Sequence, residues 1–143
     1  MTDSGDGSFT PEVKAAIMRR DSCRCDRCGF RVTSGHFHHR HPRQMGGTTR
    51  RWIGFPSNGL LLHPACHDWV EGHPAVSLRL GLLVKSGAQS IDVPVYRWNG
   101  WHMLLDDGGM RKLEKPPAPL QVEVDGGVEF RPRPPGNPFS PGA

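Results

Sequence analysis

The sequence has no long apolar run. Its most hydrophobic stretches, "GLLLH" and "VSLRLGLLV", are short or broken by charge, far below the roughly 20 residues a membrane span needs. A basic and then apolar start is also missing: "MTDSGDGSF" is polar and acidic, so no secretory signal is expected and a soluble, cytoplasmic protein without a membrane partner is. Internal repeats are absent. With 143 residues and 36% hydrophobic content, there is material for one small core and tails, not for two sizeable cores.

Acidic residues are scarce where arginine is dense. Between Arg19 and Arg51 nine arginines stand against Asp21 and Asp26, within a chain of net charge +4. A polyanion is the natural partner of such a stretch, through phosphate contacts whose affinity falls with salt. The plain alternative is a solvated basic face.

The local signals give a coarse map. Thr10-Pro11 reads as an N-cap followed by a first-turn proline, with Val13, Ala16 and Ile17 on one face, so a helix is expected to about Arg20. "CRCDRCGFRV" is a thiol-bearing turn leading to a short strand at 30–32. "HPACHDWVEGHP" predicts a helix over 64–71, ended by Gly72 and Pro74, and "PAVSLRLG" another, stopped by Gly81. Asn99-Gly100 between two apolar and aromatic runs predicts a β-hairpin, with Trp98 and Trp101 packing across the strands. Eight of the fourteen prolines lie beyond residue 115, which predicts an extended or disordered tail with a small hairpin at "VEVDGGVEF". The divisions are a disordered 1–9, a core at 10–74, a helix and hairpin at 75–113, and a Pro-rich tail at 114–143.

Cys25-x2-Cys28 and His63-x2-Cys66 have the spacing at which one turn presents two donors to a tetrahedral ion, together a closed Cys3His zinc site. The residues between the pairs are too polar to fold by burial, so a structural Zn2+ at their ends would supply the missing free energy. Cys23 could replace Cys25, and His67 could replace His63. The frame leaves the cluster "HFHHRHP" unused. A two-Cys, two-His finger would need about twelve residues after Cys28 before a helical histidine, whereas His36 comes after seven. A zinc deaminase would need His-x-Glu before Pro-Cys-x-x-Cys, and neither is present.

The order of zinc pair, "HHRHP" at 38–42, Asn58 in "PSNGLLLHPACH", zinc pair and His67 resembles the HNH endonucleases, the ββα-metal nucleases. Phage and actinobacterial members of this type also share the pair Gly46-Gly47 and Trp69. The resemblance covers roughly 10–74 and implies an α+β, zinc-stapled ββα-metal domain, flanked here by a helix and a C-terminal β-hairpin. It implies an endonuclease acting on DNA, with phage relatives pointing to work beside the terminase in genome packaging; the residues leave the oligomeric state open, a monomer being the expectation. His38 matches a ligand of the catalytic metal and His39 the general base. Asn58 matches the asparagine that ties the intervening loop, and His67 the ligand on the helix. Where many relatives have histidine four residues later, this chain has Glu71, which suits a hard ion such as Mg2+ or Mn2+ better than Ni2+ or Zn2+. Arg40, Arg43, Arg50 and Arg51 are expected on DNA phosphates. His36 and His41 receive no role, and His41 and His102 are taken as ordinary polar residues. Glu71 makes a rival credible: a zinc-stapled DNA-binding or packaging-accessory module without cleavage.

Overall fold

A capping hydroxyl followed by proline begins the first helix. In the computed structural model, which describes residues 6–43, 50–115 and 117, helix α1 spans Pro11–Arg20, and Thr10 Oγ1 accepts from the Val13 N–H at 3.2 Å. Its Val13, Ala16 and Ile17 are buried, as their spacing demands.

Strand β1 (His36–His39) pairs antiparallel with β2 (Gly59–Leu62), His36 opposite Leu62 and His39 opposite Gly59. Helix α2 (Pro64–Gly72) follows at once, and α3 (Pro74–Arg79) after it. Both begin with proline, where the missing N–H leaves no helical bond unmade. The C-terminal sheet holds β3 (Val95–Arg97), β4 (Gly100–Leu104) and β5 (Met110–Lys112) in that order, all antiparallel. The fold is thus a small α+β arrangement of short helices and antiparallel sheets.

Strand β2 is buried at every position because apolar residues cover both its faces. Leu60 and Leu62 join Cys25, Cys28, Cys66, Val70 and Leu104 in one cluster, whereas Leu61 joins Phe9, Val13 and Ile17 in another. Alternation along the strand sends neighbours to opposite sides. The "GLLL" run is therefore a two-faced partition between two small cores.

Several expectations change. The strand at 30–32 reduces to a single antiparallel bridge, Arg24 to Arg31. The hairpin turn is Trp98-Asn99, with Gly100 at φ +123° already paired with Arg97. Trp101 stacks on Tyr96 at 5.0 Å. Trp98 lies instead against Gly29, where a Cβ would come within 2.5 Å of the indole. Residues 6–9 are not a loose end, since Gly7 and Phe9 are buried. Strand β5 had no signal in the sequence. The hairpin expected at "VEVDGGVEF" and the pair Gly46-Gly47 lie outside the described residues.

The two acids of the basic stretch are interior. Arg20 binds Asp21 at 2.7 Å, and Arg97 of β3 binds Asp26 at 2.6 Å, all four side chains nearly excluded from water. Asp26 also accepts the Leu61 N–H at 2.8 Å, and its own N–H donates to the Leu61 carbonyl. Burial opposes its charge, but Arg97 and Arg20 hold its carboxyl below the ordinary range. This residue locks the thiol turn onto β2 and the C-terminal sheet. Among the described residues, no helix is long and apolar enough to cross a membrane.

Candidate metal centres and the histidine cleft

Cys25 and Cys28 sit on a turn closed by the Gly29 N–H donating to the Cys25 carbonyl at 2.8 Å. His63 caps α2 and Cys66 lies in its first turn. One donor atom from each of the four lies within 4.8 Å of all the others, and Cys28 Sγ is 3.2 Å from His63 Nδ1. His63 Nε2 donates to the Arg31 carbonyl at 3.1 Å, which leaves Nδ1 as a lone pair facing the thiols. An Arg27 N–H points at Cys66 Sγ, 3.7 Å away, placing positive charge beside a set that carries surplus negative charge as thiolates. Cys25 is drawn down by its bond to Cys28, yet Cys66 and burial outweigh that and leave it at about 11. The thiols therefore keep their protons until a cation displaces them. This donor set can hold a zinc ion. Cys25 rather than Cys23 takes part, and His63 rather than His67.

A second group forms where β1 meets α2. One donor each from His38, His67 and Glu71 lies within 4.8 Å of the others. His38 is buried, and its Nε2–H donates to the Leu82 carbonyl at 2.9 Å, so Nδ1 is the unprotonated nitrogen. Burial pushes its pKa down to about 4. His67 Nε2 lies 2.9 Å from Glu71 Oε1, the pairing that i, i+4 spacing on a helix provides. His73 is elsewhere, stacked on Trp69.

His38, His67 and Glu71 line one open cleft of about 470 Å³ together with His39 and Arg43. His39 is half-buried and its Nε2–H donates to the Gly7 carbonyl at 2.8 Å, again leaving Nδ1 bare. Burial lowers its pKa below the usual imidazole value. The cleft thus presents a carboxylate and three imidazoles beside a guanidinium. Such a set can bind a divalent ion, take a proton from water, and attract a phosphate.

Asn58 is fully buried behind the cleft. Its Oδ1 accepts from the His41 N–H at 2.8 Å and the Ser90 hydroxyl at 2.6 Å, and its Nδ2 donates to the carbonyls of His41 and Ile53. One side chain therefore pins both ends of the segment between β1 and β2.

Arg40 departs from expectation. It is fully buried and donates to the carbonyls of Gly81, Ser57, Ser90 and Val93, so its guanidinium is structural and cannot reach a phosphate. Arg43 lines the cleft and pairs with Asp6 at 3.7 Å, whereas Arg50 and Arg51 are exposed. His41 and His102, taken as ordinary polar residues, are buried and bonded to the backbone: His41 Nδ1 donates to the Val84 carbonyl and His102 Nδ1 to the Gly100 carbonyl.

The residue that sequence reasoning missed is His36, whose Nδ1 lies 2.8 Å from His67 Nδ1. Period-two alternation was the available signal, since it puts His36 on the same side of β1 as His38. Comparison with known proteins gives no match to a family model, a curated protein or a solved structure.

Proposed function

We propose that the chain is a metal-dependent HNH-type endonuclease that hydrolyses DNA phosphodiester bonds. One observation carries the reading. A strand pair and the helix after it converge His38, His67 and Glu71 on the cleft that also holds His39, in the sequence order that the resemblance expects. The ββα-metal fold type, the DNA partner and a role beside a phage terminase belong to the same proposal.

The donor chemistry fits a divalent ion held by His38, His67 and Glu71. When bound, that ion supplies positive charge to the scissile phosphate and to the departing 3′ oxygen. His39 Nδ1 takes a proton from water as the water oxygen attacks phosphorus, and the bond to the 3′ oxygen breaks. The departing 3′ oxygen takes a proton from solvent water, so the products carry 5′-phosphate and 3′-hydroxyl ends. The Gly7 carbonyl fixes the His39 tautomer in which Nδ1 is the base. Asn58 holds the chain just beyond His39, and Arg43 offers its guanidinium to a backbone phosphate.

Plasmid cleavage measured across Mg2+, Mn2+, Ni2+ and Zn2+, beside His39→Ala, tests the proposal. The wild type is expected to nick or cut with at least one of these ions, and the variant to lose on the order of 10² to 10⁴ in rate while still binding DNA. A wild-type protein that binds DNA with zinc alone, and cuts with none of the four, is the accessory module instead.

A further inference from the structure

Pro42 and Leu83 line both the histidine cleft and a neighbouring pocket of about 360 Å³, whose other walls include Leu78, Val84 and Lys85. The two spaces therefore share a wall. Leu78 is 42% exposed, so the pocket holds apolar surface in water that a ligand can cover. Its position relative to β1 is fixed by the backbone. His38 donates to the Leu82 carbonyl at 2.9 Å, the Val84 N–H to the Arg40 carbonyl at 2.8 Å, and His41 Nδ1 to the Val84 carbonyl at 3.0 Å. On the other side, the Leu82 and Leu83 N–H groups both donate to the Ser77 carbonyl of α3. Whatever fills the pocket is held at a set place from His38 and His39.

We infer that this pocket takes one unpaired base of the strand whose phosphate lies in the cleft, so that the substrate is single-stranded or locally unpaired DNA. This role rests on the endonuclease reading above, through the phosphate in the cleft. Three features favour a nucleotide over a protein segment. The first is continuity: a base hangs one sugar away from its phosphate, so a strand that lays a phosphate beside Arg43 has a base within reach of Pro42 and Leu83. Chemistry is the second, since the flat faces of a base suit the side chains of Leu78, Leu83 and Val84. Charge is the third: Arg43 lines the cleft and the exposed Lys85 lines the pocket, one cation for each of two successive phosphates. A protein segment needs neither the shared wall nor the two cations. A duplex keeps its bases paired and stacked inside, so it must flip one out to fill the pocket, whereas a single strand has no pair to break.

Fluorescence anisotropy on the full chain, with one equivalent of zinc and no other divalent ion, tests this. Three probes of about 20 nucleotides, longer than one site, are compared: oligo-dT, an abasic strand of equal length and charge, and the oligo-dT strand paired with oligo-dA. The wild type is expected to bind oligo-dT about 10-fold more tightly than either of the others. Leu78→Ser should close that gap, and Leu78→Met, which keeps the apolar surface, should preserve it. Melting curves of both variants show that the fold is retained. A duplex bound as tightly as oligo-dT overturns the inference, and so does equal affinity for all three probes, the result for a pocket that docks a protein; both leave the DNA reading intact. A gap that Leu78→Ser leaves unchanged overturns it as well, because the base then binds elsewhere. A protein that binds none of the three defeats the DNA reading and the inference together.

Discussion

The imidazole of His39 lies flat on the ring of Phe9, with centroids 3.9 Å apart and planes 6° from parallel. Phe9 is itself anchored among Val13, Ile17 and Leu61, and two residues earlier Gly7 accepts from the far nitrogen of the same imidazole. The proposed base is therefore aimed by a segment that precedes the first helix. Phe9→Leu keeps most of the apolar volume but removes the flat face. Stability should fall by less than about 1.5 kcal/mol, whereas the cleavage rate should fall on the order of 10-fold through loss of orientation. Melting curves beside plasmid-nicking rates check this, and an unchanged rate counts against it.

Burial keeps His39 neutral to lower pH than a free imidazole. The active form is the unprotonated one, so activity is lost as pH falls through the depressed pKa. The acid limb of the kcat/KM profile should thus lie below pH ~6.5, the ordinary histidine value. A limb above that value, measured at saturating metal, would assign it to another group.

Cys28→Ser removes one of the four donors that meet between the thiol turn and α2. Structural zinc contributes about 10–16 kcal/mol in small zinc-finger peptides, comparable with the whole stability of a domain, about 5–15 kcal/mol. The variant should lose zinc and the cooperative melting of residues 20–70. Metal analysis together with a thermal scan decides it, and a folded, metal-free variant would falsify the clamp.

Asn58→Ala strands four buried partners: the N–H and carbonyl of His41, the Ile53 carbonyl and the Ser90 hydroxyl. At about 1–3 kcal/mol for a buried group left unpaired, with some relaxation, a loss of roughly 3–5 kcal/mol is expected in urea unfolding. Asn58→Asp should fare little better, since its second oxygen would face the two carbonyls that now accept from Nδ2.

Arg40 and Arg43 separate structure from recognition. Arg40→Met should destabilise the fold by stranding carbonyls of Ser57, Gly81, Ser90 and Val93. Where enough folded protein remains, it should leave the salt dependence of DNA binding unchanged. Arg43→Ala should leave melting nearly unchanged and reduce the salt slope by about one. Binding isotherms at several salt concentrations distinguish the two, and equal slopes would remove Arg43 from the interface.

Local chemistry was legible in the amino acids alone. Thr10 and Pro11 start α1, Pro64 and Gly72 bound α2, and two-residue spacing picks out Cys25, Cys28, His63 and Cys66, because caps, apolar periodicity and turn-borne donors act within a few residues. Charge counting was less faithful. Of the nine arginines from Arg19 to Arg51, Arg20 and Arg40 are spent inside the protein, and the only two acids of that stretch are buried there as ion-pair partners of Arg20.

The rest was settled by tertiary contact. Arg40 is interior because carbonyls 41 to 53 residues away surround it, and His36 matters because α2 brings His67 to it across 31 residues. Residues 6–9 are held by His39, by Arg43 and by the packing of Phe9 against Val13, Ile17 and Leu61. No window of sequence contains both partners of such contacts, so a side chain's type states what it can bind, and only the closed chain determines which partner it meets.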